Sequence, residues 1–201
     1  MIKAFLFDYD GVITAGVEDG IPASRLAQNL GISYEKAAEW IVSIWAPYST
    51  GLMTDDEAWN EIEKRCGKPI TTEQRNIWYT WEELEPLPQT LELVELLKSK
   101  GYTVGLLSNV LPVTAQLIRE HGGYDTFDFH ILSCEVGARK PDQKVYETAL
   151  AKLKDIDASE VVFLDDREPC VIGAKNLGIK AIHVTDHAKA IAEVHELIDR
   201  A

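Results

Sequence analysis

The sequence alternates short apolar runs with amphipathic stretches, and this alternation restricts the chain to few folds. Apolar runs that predict buried strands lie at residues 2–7, 102–107, 129–132, 161–164 and 179–184. Patterns that predict helices lie at residues 88–100, 111–120, 142–153, 168–177 and 187–200. Strands that alternate with helices form a parallel sheet covered on both faces. We therefore predict an α/β protein built on a doubly wound parallel sheet.

Residues 15–84 interrupt the alternation, because they show helical patterns without a convincing strand. All five tryptophans lie in this segment and all five phenylalanines lie outside it, which indicates two separate cores. We predict a sheet-based core formed by residues 1–14 and 85–201, and a helical domain inserted at 15–84. Residues 82–86 are the predicted return linker. The candidate helix N-caps in the segment are Ser33, Thr54 in a capping box with Glu57, and Thr71 or Thr72.

The charge balance argues against a nucleic-acid partner. Asp and Glu number 33 against 20 Lys and Arg, which gives a formal net charge of −13. A protein of this charge repels the phosphate backbone of DNA or RNA. An anionic ligand would therefore need cations gathered locally at its binding site. The uncharged stretch 101–118 contains several polar residues and Pro112, so no membrane span is predicted and we expect no membrane partner.

The cysteines indicate a reducing compartment. Cys66, Cys134 and Cys170 are an odd and widely spaced set without a CxxC pair. The apolar run near the start of the chain is too short for the core of a signal peptide. We therefore expect a cytoplasmic protein. Both a monomer and a homodimer are compatible with the sequence.

Polar residues follow the predicted strands, where ligands bind in open parallel sheets. These residues are Asp8 and Asp10, Ser108 and Asn109, Lys140, and Asp165 and Asp166. Taken singly, each has a plain structural explanation. Acidic residues before a glycine form turns, a Ser–Asn pair caps a helix, and a lysine can be a solvated loop charge.

Taken together, the same residues predict a metal site. A doubly wound sheet brings the ends of its first, second and fourth strands side by side, so the four aspartates would converge. Two like charges about 4 Å apart repel by roughly 4 kcal/mol at an effective dielectric constant of about 20, so the cluster requires a cation. Hard carboxylate oxygens favour Mg²⁺, and Lys140 adds a fixed positive charge. The predicted site therefore binds an anion in an otherwise acidic protein.

The order of these motifs resembles that of the haloacid dehalogenase-like superfamily. The matching segments are Asp8-Tyr9-Asp10-Gly11, Leu107-Ser108-Asn109, Arg139-Lys140-Pro141-Asp142 and Leu164-Asp165-Asp166. The resemblance covers the whole predicted core and implies a Rossmann-like catalytic domain. It also implies that residues 15–84 are a helical cap inserted after the first motif.

The resemblance implies a reaction in which Asp8 attacks phosphorus and forms an aspartyl phosphate. Asp10 would protonate the leaving alkoxide and later deprotonate a water molecule. Family members that cleave carbon–halogen bonds lack this second aspartate, so a dehalogenase is not expected. Tyr9, between the two aspartates, is given no catalytic role. Cys170 departs from the family, which often has Asn at that position, and this change would loosen the outer shell of the metal.

The remaining site residues take roles that the resemblance also implies. Mg²⁺ would be held by Asp8, the main-chain carbonyl of Asp10, and the pair Asp165 and Asp166. We expect Asp166 to be the direct ligand and Asp165 to be the partner of Lys140 or of a metal-bound water. The phosphoryl oxygens would be bound by Ser108, the backbone amide of Asn109, and Lys140.

Three functions remain compatible with these motifs. The first is a phosphatase acting on a small phosphorylated metabolite such as a sugar phosphate. The second is a phosphomutase of the β-phosphoglucomutase type, and the third is a non-catalytic binding protein on the same fold.

Within the predicted cap, we expect most aromatic rings to fill the core and one or two to reach the substrate. The turn 48–51 is the predicted substrate-facing loop. The aromatic residues considered are Tyr34, Trp40, Trp45, Tyr48, Trp59, Trp78, Tyr79 and Trp81.

Overall fold

The computed structural model describes residues 1–199 and has a parallel sheet at its centre. The strands are β1 (Ala4–Phe7), β2 (Thr103–Ser108), β3 (Phe129–Leu132), β4 (Val161–Asp165) and β5 (Lys180–His183). They are arranged in the order β3-β2-β1-β4-β5, and every neighbouring pair is parallel. The predicted doubly wound sheet is confirmed. As expected, β1 lies between β2 and β4, so the carboxyl ends of these three strands are adjacent.

Helices fill the intervals between the strands. In chain order they are α1 (Ile21–Leu30), α2 (Tyr34–Ser49), α3 (Asp55–Cys66), α4 (Trp81–Leu84), α5 (Pro88–Ser99), α6 (Pro112–Glu120), α7 (Ser133–Val136), α8 (Gln143–Lys152), α9 (Glu168–Asn176) and α10 (His187–Asp199), with a 3-10 turn at Ala158–Glu160. The predicted end of the last helix, at residue 200, lies outside the described residues. Among residues 1–199, no helix combines the length and apolar character needed to cross a membrane.

The sheet is covered on both faces because the side chains of β1 alternate in direction. Phe5 and Phe7 belong to one buried cluster, which includes Leu97 of α5 and Val194 of α10. On the other face, Leu6 joins a second cluster with residues of α8 and α9. The strand therefore has no solvent-facing side, which explains its uninterrupted apolar sequence.

The segment between β1 and α5 contains helices α1 to α4, and buried residues of α1, α2 and α3 form a third cluster, while Leu84 of α4 packs in the first cluster against the sheet. Large members of the third cluster are Trp40, Tyr48 and Trp59, and Leu111 is the buried residue that joins it from outside the segment. This arrangement agrees with the separate core expected for residues 15–84. The division of the chain into two domains with those bounds stays a prediction.

The helix N-caps of the segment are only partly as predicted. The Ser33 hydroxyl accepts a hydrogen bond from the backbone of α2, and Thr54 forms the predicted capping box with Glu57. The prediction at Thr71 or Thr72 is wrong, since the Thr71 hydroxyl accepts from Gln74 in a turn that does not continue into a helix. The predicted linker 82–86 is partly helical, because α4 extends to Leu84.

Candidate active site

The acidic residues meet at the carboxyl ends of the central strands. Asp8 follows β1, Asp165 is the last residue of β4, and Asp166 follows it. Carboxylate oxygens of these three residues lie within 4.8 Å of one another. Gly11 allows this approach, because a Cβ atom there would lie 2.7 Å from the Asp166 carboxyl group, and its φ of +74° also favours glycine. The predicted convergence of distant aspartates therefore exists in the structure.

Lys140 provides the fixed positive charge within this cluster. Its Nζ atom lies 2.8 Å from Oδ1 of Asp8 and 2.6 Å from Oδ2 of Asp165, and its side chain is 1% exposed. Burial by itself lowers the pKa of Lys140, but the two carboxylates raise the pKa above its ordinary value. The lysine is therefore a charged group buried among acids and not a solvated loop residue.

One ammonium group does not balance three carboxylates. Burial raises the pKa of Asp8, and the charge of Asp165 raises it further, while Lys140 and the backbone N–H of Tyr9 lower it. The pKa of Asp166 is also raised, first by burial and then by Asp165. These shifts mean that the cluster disfavours full ionisation. A divalent cation would relieve the excess negative charge, and the hard oxygen donors fit Mg²⁺.

The carboxylate of Asp10 is held by a separate set of hydrogen bonds. Its Oδ1 atom accepts from the Thr14 hydroxyl at 3.0 Å and from the Val17 backbone N–H at 3.1 Å. Thr14 is fully buried, and its hydroxyl also accepts from the backbone N–H groups of Gly11 and Gly16. Burial raises the pKa of Asp10, and the bonds from Thr14 and Val17 partly oppose that shift. The loop that leaves β1 therefore fixes the orientation of this acid.

The Asn109 side chain positions the segment that carries Lys140. Its Nδ2 group donates to the Lys140 carbonyl oxygen at 2.9 Å, and its Oδ1 atom accepts from the Lys140 backbone N–H at 2.8 Å. Ser108 is buried at the end of β2. Helix α6 starts at Pro112 with Leu111 in the N-cap position, so neither Ser108 nor Asn109 serves as its cap. The helix-cap explanation of this pair is thereby removed.

The hydrogen bond from Thr14 to Asp10 and the pairing of the Asn109 side chain with Lys140 were not predicted from the sequence. The predicted role of Asn109 was limited to its backbone amide, and Thr14 had no predicted role. The signal for Thr14 was a polar residue, four positions after Asp10, within an otherwise apolar run. The pairing of Asn109 with Lys140 had no local signal, because the two residues are 31 positions apart.

A cavity of about 640 Å³ opens onto this cluster. Its wall combines site residues, including Asp8, Asp10, Ser108 and Lys140, with residues of α1 and α2. Of the eight aromatic residues considered above, the cavity is lined by Tyr34, Trp45 and Tyr79. The others at Trp40, Tyr48, Trp59 and Trp78 are buried in the helical cluster, and Trp81 stacks on His121. Five of these eight rings therefore fill the core or stack elsewhere, as expected, while three line the cavity, where one or two were expected to reach the substrate.

The prediction that the turn 48–51 faces the substrate is wrong, because this turn packs against α7. The Ser133 hydroxyl donates to the Ser49 carbonyl oxygen at 2.6 Å. Gly51 lies so close to the Cys134 carbonyl that a Cβ atom would clash with it. The turn therefore contacts the sheet-based part of the molecule and does not line the cavity.

Tyr9 and Cys170, which were given no part in the chemistry, both make structural contacts. The Tyr9 hydroxyl donates to the Leu84 carbonyl oxygen at 3.1 Å, and the ring packs edge-on against Tyr124. Cys170 is buried, and its carbonyl oxygen accepts from the Tyr146 hydroxyl. Burial raises the pKa of the Cys170 thiol to about 12, so this cysteine stays protonated at neutral pH.

Comparison with known proteins places the chain among related sequences. A family model described as a haloacid dehalogenase-like hydrolase matches residues 2–178. The chain is 29% identical over 155 residues to Sesquiterpene phosphatase astK of Aspergillus oryzae, covering 77% of this chain and 79% of that protein. It is 25% identical over 173 residues to Pyrimidine 5'-nucleotidase YjjG of Escherichia coli, covering 77% and 76%. The names of these relatives differ in substrate.

Solved structures share the architecture. A HAD phosphatase from Thermococcus onnurineus has a TM-score of 0.63 and 26% identity, with 92% of this chain and 86% of that chain covered. A HAD family enzyme from Bacteroides thetaiotaomicron, crystallised with magnesium and inorganic phosphate, has a TM-score of 0.73 and 24% identity. That match covers 91% of this chain and 94% of the other. At this identity, the second similarity shows the fold alone.

Proposed function

Because the chain belongs to the haloacid dehalogenase-like hydrolases, we propose that it is a Mg²⁺-dependent phosphatase acting on a small phosphate monoester. The observation that carries the proposal is the arrangement around Asp8. This carboxylate lies at a cavity, beside a buried lysine and two further carboxylates, with the oriented acid Asp10 in the same cavity wall. Relatives named as a phosphatase and a 5'-nucleotidase support the assignment.

The contacts of Asp8 suit it to nucleophilic attack. Its Oδ1 atom accepts from the Tyr9 backbone N–H at 2.7 Å and contacts Lys140, which leaves Oδ2 for phosphorus. In the first step, a bond forms between Oδ2 and phosphorus, and the bond from phosphorus to the ester oxygen breaks. Asp10 gives its proton to the departing alkoxide. The raised pKa of Asp10 favours this acid role, because more of the group is protonated near neutral pH.

The second step returns the protein to its starting state. Asp10, now ionised, takes a proton from a water molecule that attacks the aspartyl phosphate. The bond from phosphorus to Asp8 breaks, inorganic phosphate leaves, and Asp8 is again a carboxylate. Ser108, the Asn109 backbone amide and Lys140 bind the phosphoryl oxygens during both steps. Residues 15–84, as the cap, limit the access of water to the cavity.

The residues that would hold the metal are Asp8, Asp166 and the main-chain carbonyl of Asp10. Asp165 is engaged by Lys140 and by the Arg167 backbone N–H, which suits it to an indirect role through water. When bound, Mg²⁺ neutralises negative charge on the carboxylates and on the phosphoryl group.

Product analysis distinguishes the proposed phosphatase from its alternatives. Purified protein would be incubated with Mg²⁺ and a panel of phosphate monoesters, and free phosphate would be measured together with any isomerised ester. We expect phosphate release that accounts for the ester consumed. An isomerised sugar phosphate with little free phosphate would indicate a mutase, and no reaction across the panel would favour a binding protein.

Removal of the metal is expected to abolish phosphate release reversibly. Without a divalent ion, Asp8 faces Asp165 and Asp166 with only Lys140 to offset their charge. Chelation with EDTA should therefore reduce kcat/KM to background, and added Mg²⁺ should restore it. Undiminished activity in EDTA would contradict the metal assignment.

Replacement of Thr14 tests how Asp10 is oriented. Thr14→Val removes the hydrogen bond to Asp10 and leaves two backbone N–H groups without an acceptor. We expect kcat/KM to fall about 10- to 100-fold, because a hydrogen bond to a charged group contributes about 1.5–3 kcal/mol. The loss should be greater for an alkyl phosphate than for p-nitrophenyl phosphate, whose leaving group departs without a proton.

Thr14→Ser is the matched control, because it keeps the hydroxyl and should retain most of the activity. An equal loss for both esters in Thr14→Val, or an equal loss in the serine variant, would show that Thr14 does not act through Asp10.

A further inference from the structure

We propose that the substrate of this site is a phosphate ester of an apolar alcohol, and that its hydrocarbon part lies against one face of α2. This inference rests on the proposed phosphatase function and adds the substrate class. It follows from three features of the cavity that opens onto Asp8. These are a partly exposed apolar stripe on α2, the distribution of charge in the cavity wall, and the scarcity of hydrogen-bonding groups along its helical side.

Helix α2 has one wide apolar side, and only part of that side is buried in the helical cluster. Ala37, Ile44 and Tyr48 are buried in the helical cluster. The edge of this side that lines the cavity is a stripe of Tyr34, Ala38, Ile41, Val42 and Trp45. Their spacing of four, seven, eight and eleven positions from the first residue places them on one side of a helix. Ile41 also belongs to the helical cluster, and Ala38 and Trp45 pack against it, so Tyr34 and Val42 are the stripe residues outside the cluster.

The stripe is exposed where the cavity opens. Val42 is 73% exposed and Tyr34 is 48% exposed, although both are large apolar residues. An apolar surface of this kind gains free energy when a hydrocarbon covers it. Because the same cavity contains Asp8, an ester whose phosphoryl group meets Asp8 would extend its alcohol part along this stripe.

The charged residues of the cavity wall lie away from the apolar stripe on α2. They are Asp8, Asp10, Asp19, Arg139, Lys140, Asp166 and Arg167, all in loops outside the helices. Helices α1, α2 and α6 contribute no charged residue to the wall, and α6 adds the apolar Ile118. Anionic phosphate is therefore placed near the loops, and the alcohol part among apolar side chains.

A polyhydroxylated alcohol would lose hydrogen bonds to water along this wall. A buried hydroxyl without a partner costs about 1–3 kcal/mol, and a sugar has several. The Thr114 hydroxyl is the buried side-chain group of the cavity wall that lacks a hydrogen-bond partner within the described residues. The other polar side-chain groups that α1, α2 and α6 add to the wall are the Tyr34 hydroxyl and the Trp45 indole N–H. Three such groups can satisfy few of the polar groups of a sugar, so this side of the wall favours a hydrocarbon.

The test is a series of linear alkyl phosphates from ethyl to octyl, each used below its micelle-forming concentration with Mg²⁺. Burial of one methylene group contributes about 0.8 kcal/mol, which is about fourfold in kcat/KM. We expect kcat/KM to rise about two- to fourfold per added methylene. Propyl phosphate should also be a better substrate than glycerol phosphate, which has the same number of carbon atoms.

Two matched variants connect this trend to α2. Val42→Asp places a charge on the cavity stripe, and Leu52→Asp places one on a residue that is similarly exposed, at 77%, outside the cavity wall. We expect Val42→Asp to reduce the ratio of kcat/KM between octyl and ethyl phosphate at least tenfold. Leu52→Asp should keep the ratio of the unmodified protein.

Failure of this inference differs from failure of the proposed function. If the esters are hydrolysed but kcat/KM is flat or falls with chain length, or if glycerol phosphate is preferred to propyl phosphate, the apolar substrate class is wrong. An unchanged ratio in Val42→Asp would show that the chain does not lie on α2. If no ester in the series or in the wider panel is hydrolysed, the phosphatase proposal itself is wrong.

Discussion

Replacing Asp8 with Asn is expected to reduce phosphate release by about 10⁴-fold or more, the scale seen when a covalent nucleophile is removed. The amide oxygen of Asn carries no charge and does not form a stable bond to phosphorus. The backbone N–H of Tyr9 still has an acceptor, and Lys140 keeps its contact with Asp165. Loss of activity should therefore occur in a folded protein.

Thermal unfolding of the metal-free variant separates chemistry from stability. Burial raises the pKa of Asp8 in the folded protein above its pKa in the unfolded chain. As the pH rises above the pKa of the unfolded chain, ionisation of Asp8 therefore destabilises the folded protein increasingly. Asn removes that opposition, and Asp8→Asn should unfold at the same temperature as the unmodified protein, or higher, at neutral pH. Retained turnover would remove Asp8 from its role, and a strongly lowered unfolding temperature would show that the carboxylate is structural.

The second large effect is expected at Lys140. Lys140→Met keeps an apolar side chain of similar length but leaves Asp8 and the fully buried Asp165 without a cation. Removing one partner of a buried ion pair destabilises a protein by about 3–5 kcal/mol. Denaturant unfolding of the metal-free variant should therefore show a loss of this size, and phosphate release should fall as well.

The double variant Lys140→Met with Asp165→Asn is the control for this explanation. It removes the charges of Lys140 and Asp165, and the amide oxygen of the introduced asparagine would still accept from the Arg167 backbone N–H. Asp8 still lacks a cation, but burial raises its pKa, so this carboxyl group can take up a proton instead. We expect it to recover most of the stability lost in the single variant, since the cost arises from an uncompensated buried charge. Equal stability of Lys140→Met and the unmodified protein, or no recovery in the double variant, would contradict the ion-pair arrangement.

The sequence was most informative where one physical requirement dominated. The strand at β1 is buried on both faces, so its apolar run could be recognised without alternation. Asp8 and Asp165 could be placed together because parallel neighbours bring their carboxyl ends to one edge of the sheet. The convergence of acids 157 positions apart was thus predictable from the fold class alone.

Contacts that depend on tertiary structure could not be predicted in the same way. The turn 48–51 was predicted to face the substrate, but it is held against α7 by the hydrogen bond from Ser133 to Ser49, which no local pattern reveals. At Thr71 the capping residue is present, and the structure has only a turn there. The stripe on α2 was hidden because the apolar side of this helix is wide, so the periodicity does not indicate which part of that side is covered by the helical cluster.

The most direct test of the account asks whether Asp8 carries the phosphoryl group. The Asp10→Asn variant would be mixed with p-nitrophenyl phosphate and Mg²⁺, quenched in acid, and analysed by peptide mass spectrometry. Because p-nitrophenolate leaves without a proton, the first step should proceed, and loss of the base that activates water should slow the second. We predict one phosphoryl group accumulating on Asp8; release of phosphate by the unmodified protein with no covalent phosphate in the variant, or with phosphate on another residue, would contradict the account.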